Sequence, residues 1–255
     1  MVGWWALQLG IIGALLVATE VAFRLGAARQ ANVDEHVRGQ TTTVQAAMLG
    51  LVGLLLGFSM SMAEERFTVR RSLIVDEANA IGTAYLRTQL LAEPDGARSR
   101  ALFRDYVAVR REFVAAGRDL ARIEAASARS QQLQGQIWAI GVASARVHPD
   151  WDVMTAYLEA LNTSFDLEAA RYASVFARIP ATIFVLLVVV AVIAVAATGY
   201  ACGFDGRRNV LASYVFPTLL GLACALVIDL AHPRSGLIRT GDAPMARLQR
   251  SLGTH

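Results

Sequence analysis

The sequence predicts an all-α integral membrane protein, with four transmembrane helices per subunit and a helical domain inserted between the second and third. Residues 179–204 contain no charged side chain, and about 20 apolar helical residues cross the hydrocarbon core of a bilayer. Three further apolar segments cover 3–23, 44–63 and 210–231. No segment shows the alternation of a β-strand. Because backbone amides in lipid must be satisfied internally, each span is expected to be a helix.

The order of these segments divides the chain into four parts. A first transmembrane pair at 1–63 precedes a polar insert at 64–178, which is long enough to pack a helical core of its own. A second transmembrane pair follows at 179–231, and a tail at 232–255. The first segment has no basic residue before Arg24, which favours a retained span over a cleaved signal peptide.

Charge patterning predicts the orientation of the chain. Four spans put the insert and both termini on one side of the membrane, and that side carries slightly more arginines near the span ends. The positive-inside rule therefore predicts that the insert and the termini are cytoplasmic. All basic residues are arginine, and no basic run stands free of acidic residues, so no nucleic-acid partner is expected.

The insert is predicted to consist of amphipathic helices. No proline interrupts 44–91, and apolar residues recur there at helical spacing beyond the span. This pattern predicts one helix that leaves the bilayer and continues as an amphipathic rod. Further helices are predicted at 97–126, 130–146 and 151–178. The tail after the last span is expected to strap over the helical domain or to be partly disordered.

Catalytic chemistry is not indicated by the motifs. The chain has no G-x-S-x-G, no phosphate-binding glycine loop and no H-E-x-x-H. Asp76 and Glu77 are neighbours on a helix and point in different directions, so a solvated or salt-bridged face is favoured over an acid–base pair. Cys202 and Cys224 lie in apolar spans, which favours two core residues over a disulfide or a metal site. The sequence therefore predicts no enzyme, no cofactor and no metal.

Charged residues near the membrane boundaries leave alternatives open. Glu20 and Asp229 lie near span ends. An ionisable group within a membrane is a functional hypothesis by default, but at a span end it can also be a cap or an interface residue. Glu64, Glu65 and Arg66 lie where the second span leaves the bilayer. They are either headgroup anchors or the mouth of a pathway.

The second span carries two further patterns. Gly53 and Gly57 have the spacing of small residues that let membrane helices approach closely. Leu54 and Phe58 are also four residues apart, on another face. If several copies of this helix surround an axis, these side chains form a hydrophobic constriction that gates ions by dewetting. Spacing alone favours the simpler contact with lipid or with another helix.

Two stretches carry a resemblance to the bestrophins and, more closely, to a bacterial family of bestrophin-like proteins. LLGFSMSMAEERFTVRRSLIVDEANAIGTAYLR at 55–87 is similar to the pattern in which Leu-Gly-Phe closes the second span and an arginine-bearing helix continues inward. ALNTSFDLEAARYASVFARIP at 160–180 is similar to the helix that leads into the Ile-Pro opening the third span. HPRSGLIR at 232–239 lies where bestrophins place Asn-Pro and an acidic cluster. The resemblance covers nearly the whole chain.

The resemblance implies a homopentameric ion channel in the inner (plasma) membrane of a bacterium, with a helical cytosolic vestibule. The second-span helices would line the pore, and Phe58 matches the phenylalanine of the bestrophin hydrophobic neck. Leu54 and Gly50 precede it by one and two turns. Gly50 replaces a bulky neck residue, which implies a wider outer neck. A lower, cytosolic constriction is implied near Trp151, Asp152, Val153 and Met154.

The resemblance also bears on the ions. Arg234, Ser235 and Gly236 follow Pro233 where bestrophins carry an acidic calcium clasp, so no bound calcium is expected. The implied cargo is small monovalent ions, with anions slightly favoured. The alternative is a non-conducting membrane scaffold or sensor whose helical cytosolic domain binds partners, since that function would explain the amphipathic helices equally well.

Overall fold

A computed structural model describes residues 2–32, 34–147, 151–177, 179–206, 208–231 and 241–253. Every regular element of these residues is helical, which confirms the all-α prediction. The chain forms α1 (Val2–Arg29), α2 (Glu35–Arg87), α3 (Asp95–Ala115), α4 (Leu120–Val147), α5 (Trp151–Phe176), α6 (Ala181–Phe204), α7 (Phe216–Ala231) and α8 (Ala243–Leu252). A π-helical turn at Leu211–Val215 leads into α7. The 232–239 stretch, with the position of the calcium clasp, lies outside the described residues.

Four helical segments are long and apolar enough to cross a membrane, as the sequence predicts. They are Trp5–Arg29, Glu35–Leu90, Asp152–Phe204 and Leu211–Ala231. The chain divides into two compact units. The membrane unit comprises Met1–Phe67 and Ile179–Ile238, and the helical unit comprises Thr68–Arg178 and Arg239–His255. The continuous helix α2 contributes its first part to the membrane unit and its second part to the helical unit.

In the membrane unit, α1 packs along α6 and α7. The α1–α6 contact is close because glycines face backbone atoms. A Cβ added to Gly203 would lie 2.7 Å from the amide nitrogen of Ala27 and 2.8 Å from the Cα of Gly26. A Cβ added to Gly199 would collide with the carbonyl oxygen of Thr19. Small residues allow this approach between membrane helices, so α1 and α6 depend on the Gly199-x-x-x-Gly203 spacing.

The helical unit has a core of large apolar and aromatic side chains. They come from α2, α3, α4, α5 and α8, and include Ile81, Phe103, Tyr106, Ile137 and Tyr157. Met245 and Leu252 of α8 are buried in the same cluster. The sequence predicts that the tail either straps over the helical domain or is partly disordered. Ala243–Leu252 forms a helix that packs on the helical unit, as the first alternative predicts.

The prediction of a helix break near 127–129 is wrong. The structure places the break at 116–119, where Gly117 has φ of +57°, in the left-handed region that glycine occupies without steric cost. Asp119 Oδ1 then accepts a hydrogen bond from the backbone N–H of Arg122 at 3.2 Å, which caps the first turn of α4. Since no breaker occupies 127–129, α4 runs through that segment for 28 residues.

Candidate functional site

The membrane part of α2 is anchored to its unit on one side only. Val52, Ser59 and Ala63 are buried on this side. Val52 packs in a cluster with the α6 and α7 side chains, and Ala63 packs in a second cluster with the end of α7. Gln45 also donates a hydrogen bond to the Thr198 hydroxyl at 3.3 Å. One face of α2 therefore packs within the membrane unit. The helical repeat then determines which residues lie on the opposite face.

The opposite face of α2 is exposed. Phe58 exposes 62% of its surface and Leu54 exposes 55%. A Cβ added to Gly50, Gly53 or Gly57 would meet nothing within 4 Å. The close contact that the spacing of Gly53 and Gly57 allows is therefore not made within the described part of this subunit. This face is available to lipid or to another chain.

The three predicted neck residues share this exposed face. Gly50, Leu54 and Phe58 follow one another at four-residue intervals, so they stack along one side of the helix. With a rise of about 1.5 Å per residue, the stack is about 12 Å long. Gly50 at one end presents only backbone, and Phe58 at the other end presents an aromatic ring.

The predicted pore-mouth residues follow the neck on the same helix. Glu64, Glu65 and Arg66 are all exposed. Within the part of the chain that the structure describes, none of them forms an ion pair. Glu65 is seven residues beyond Phe58, which places it on nearly the same side of the helix and about 10 Å further along. Arg66 lies toward the flank.

The predicted cytosolic constriction lies in the first turn of α5. Asp152 is exposed and Val153 is half-buried, whereas Met154 is buried in the core of the helical unit. The side chain of Trp151 lies outside the described part. The structure thus does not bring these side chains onto one face.

Glu20 is part of an ion-pair group at one end of α1. Its carboxylate accepts a hydrogen bond from Arg24 Nε at 2.7 Å and another from Arg208 Nη1 at 2.7 Å. Arg208 Nη1 also donates to the Tyr214 hydroxyl at 2.7 Å. These contacts favour the interface alternative for Glu20. Asp229 is buried near the end of α7.

Sequence reasoning missed a buried charge cluster in the helical unit. Arg110 of α3 lies at its centre and is fully buried. Its Nε donates to Glu77 Oε1 at 2.5 Å, and its Nη1 donates to Glu168 Oε1 at 2.8 Å. Arg171 Nη1 also donates to Glu77. The guanidinium of Arg110 lies 4.5 Å from the centre of the Phe113 ring.

The cluster links α2, α3 and α5 and is structural in character. It holds two carboxylates and two guanidinium groups, so the charges balance. Burial disfavours the charged form of Arg110, but Glu77 and Glu168 outweigh burial and raise its pKa. The salt-bridged alternative for Glu77 is thus confirmed. The described residues contain no group of three or more histidine, cysteine or acidic side chains that could hold a metal ion.

Comparison with known proteins identifies the family. The family description "Bestrophin-like domain" matches residues 11–245. The chain belongs to the bestrophin-like family. A solved structure of a bacterial bestrophin homologue from Klebsiella pneumoniae, with a tryptophan-to-alanine mutation, shares the fold with a TM-score of 0.71. The identity is 15%, and the alignment covers 96% of each chain. The search of curated proteins gives no match.

Proposed function

We propose that this bestrophin-like protein is a homopentameric ion channel whose α2 helices surround the pore. The observation that supports the proposal is the exposed face of α2, on a helix whose other side is packed into the membrane unit. Glycines on an exposed face carry no side chain, so they let helices of identical copies approach one another. Membership of the bestrophin-like family also supports a bestrophin-type channel.

In this assembly Phe58, Leu54 and Gly50 form the neck. Rings of Phe58 and Leu54, one helical turn apart, enclose an apolar passage that is unfavourable for water and ions when narrow. Gly50 adds no side chain, so the passage is wider at its outer end. A conducting state then requires the rings to widen or to become hydrated.

The proposed cargo is small monovalent ions. The resemblance to bestrophins slightly favours anions, and the apolar neck itself does not discriminate by sign. The exposed carboxylate of Glu65, on nearly the same side of α2 as Phe58, acts in the opposite direction, because rings of acidic side chains favour cations. The reversal potential of the purified channel in a salt gradient measures the balance of these two influences.

The helical unit forms a cytosolic vestibule, with Asp152 the exposed member of the lower constriction that Trp151–Met154 would form. The lipid partner is the bacterial inner membrane, with the helical unit and both termini in the cytoplasm. No catalytic role is proposed for any of these residues.

The direct test is conductance of reconstituted protein in planar bilayers. Wild-type protein is expected to conduct, and Phe58→Ala is expected to raise the current severalfold, because a smaller ring widens and hydrates the neck. Leu219→Ala is the matched control, since Leu219 is exposed on α7 to a similar extent, 59%, and lies away from the proposed pore. Its current should equal that of the wild type.

Two outcomes would contradict the proposal. Silent bilayers that contain assembled five-fold rings would instead support the non-conducting scaffold or sensor. Equal currents for Phe58→Ala and Leu219→Ala would show that Phe58 does not lie at the constriction. Particle symmetry, imaged on the same sample, separates a failure of assembly from a failure of conduction.

A further inference from the structure

The outward face of α4 is made mainly of small side chains. One side of α4 enters the helical core through Ile123, Ser130 and Ile137. On the opposite side, exposed residues recur at alternating intervals of four and three, the spacing of a coiled-coil seam. They are Ala121, Ala125, Ala128, Gln132, Gly135 and Ala139, of which all but Gln132 are small. A Cβ added to Gly135 would meet nothing within 4 Å, so this seam has room for a neighbouring helix.

The exposed charges of α4 are mainly basic. Arg122, Arg129 and Arg146 are exposed, against the single exposed acid Glu124. Arg129 shares an ion pair with Glu112 of α3 at 3.1 Å, in which both side chains are more than half exposed. Arg122 and Arg146 form no ion pair within the described residues. Arg122 and Arg129 are seven residues apart, along one edge of the seam.

The outward face of α5 has the opposite charge. Asp152, Glu159 and Asp166 are exposed, and each is seven residues from the next. Asp152 belongs to the proposed lower constriction, so Glu159 and Asp166 are the carboxylates of the docking face. None of the three has an ion-pair partner in the part of the chain that the structure describes. The arginine of this helix, Arg171, is buried in the charge cluster. The α5 face therefore presents carboxylates with no exposed cation on the same helix.

We infer that the α4 face of one copy docks on the α5 face of the next copy. This inference rests on the proposed homo-oligomer. Pairing α5 with α5 would oppose carboxylates to carboxylates, and pairing α4 with α4 would oppose arginines, whereas α4 against α5 pairs opposite charges. A contact between two different faces is heterologous, and such contacts close into rings when the rotation permits.

The residue types on α4 suit such a contact. Helix axes approach to about 8 Å when the residues between them are small, so the alanine seam allows α5 of the next copy to lie close. The seven-residue spacing of Arg122 and Arg129 matches that of the α5 carboxylates. Two successive ion pairs can therefore form along one edge of the seam.

Disulfide trapping in the full-length protein tests the inference. Ala128→Cys is combined in turn with Thr155→Cys, Asn162→Cys and Ala169→Cys, which lie two turns apart along the α5 face and so cover different registers. At least one pair is expected to give a ladder of linked subunits under mild oxidation, ending at the ring size. The single-cysteine variants and the wild type, which retains Cys202 and Cys224 in the spans, are expected to give no ladder.

The outcomes separate this inference from the proposed channel. If light scattering shows rings but no pair gives a ladder, the α4–α5 docking is wrong and the channel proposal stands. A dimer band from Ala128→Cys alone would show α4 against α4 and would also overturn the inference. A monomer in lipid nanodiscs would overturn both proposals. A charge exchange adds a second test: Glu159→Arg should lower the ladder yield at least threefold, and adding Arg122→Glu and Arg129→Glu should restore it.

Discussion

The membrane unit and the helical unit hold their helices together in different ways. In the membrane unit, α1 and α6 touch backbone to backbone at Gly26, Gly199 and Gly203. In the helical unit, helices are separated by aromatic rings and joined by the buried cluster around Arg110 and Glu77. One chain therefore uses the smallest residues in one unit and some of the largest and most polar in the other.

The surroundings of each unit explain this difference. Between lipid-embedded helices there is no hydrophobic driving force, because lipid tails are as apolar as leucine, so close packing of small residues has to supply the attraction. In water, burial of Phe103 and Tyr157 is favourable in itself. Within such a core, buried charges are tolerated when they are paired and hydrogen-bonded, as Arg110 is through its Nε and Nη1.

The largest effect is expected from Gly203→Leu. The added side chain would meet backbone atoms of α1 that cannot move aside, so we expect the free energy of unfolding to fall by more than about 4 kcal/mol. Thermal unfolding of purified protein in detergent measures it. Gly13→Leu is the control, because a Cβ there meets nothing within 4 Å. Similar unfolding temperatures for the two variants would show that backbone contact does not hold α1 to α6.

A smaller loss is expected from Arg110→Met in the helical unit. Removal of the central cation leaves Glu77 and Glu168 buried with less compensation, which costs about 3–5 kcal/mol in comparable pairs. Urea unfolding followed by circular dichroism measures it. Arg98→Met is the control, since Arg98 is 69% exposed and 3.9 Å from Asp95, and should cost under about 1 kcal/mol. Equal losses for the two variants would show that burial does not strengthen the cluster.

Local sequence patterns predicted the helices well because their signals lie within a few residues. The uncharged run in 179–204 and the absence of proline in 44–91 are of this kind, and both helices are present in the structure. The turn at Gly117 also has a local signal, glycine followed by a capping aspartate, but the interpretation placed the break about ten residues later. The Gly199-x-x-x-Gly203 spacing is an equally local signal, but the sequence-based prediction of close packing concerns the same spacing at Gly53 and Gly57.

Long-range pairing was beyond what the sequence could predict. Arg110 is separated from its partners Glu77 and Glu168 by 33 and 58 residues along the sequence. Nothing in the sequence specifies which arginine pairs with which acid. For the candidate site, the sequence placed Gly50, Leu54 and Phe58 on one face, as the structure does. That this face surrounds an ion pathway depends on copies of the chain, and it stays a prediction.

The smallest effect is expected from an exposed pair of the helical unit. Arg100 Nη2 donates to Glu93 Oε1 at 2.6 Å, and together with the backbone N–H of Ala97 it lowers the pKa of Glu93. The stability that this lowering contributes is present above the ordinary pKa of a glutamate and is lost as the pH falls through the lowered value.

Glu93→Gln should therefore lower the unfolding temperature slightly at neutral pH and leave it unchanged at the acidic end of the stable range. Glu124→Gln is the control, because Glu124 is exposed and has no ion-pair partner among the described residues. If the difference in unfolding temperature between the wild type and Glu93→Gln grew on acidification, the pH dependence would be opposite to the expected one. A loss as large as that of Arg110→Met would show that exposure to water does not weaken ion pairs in this unit.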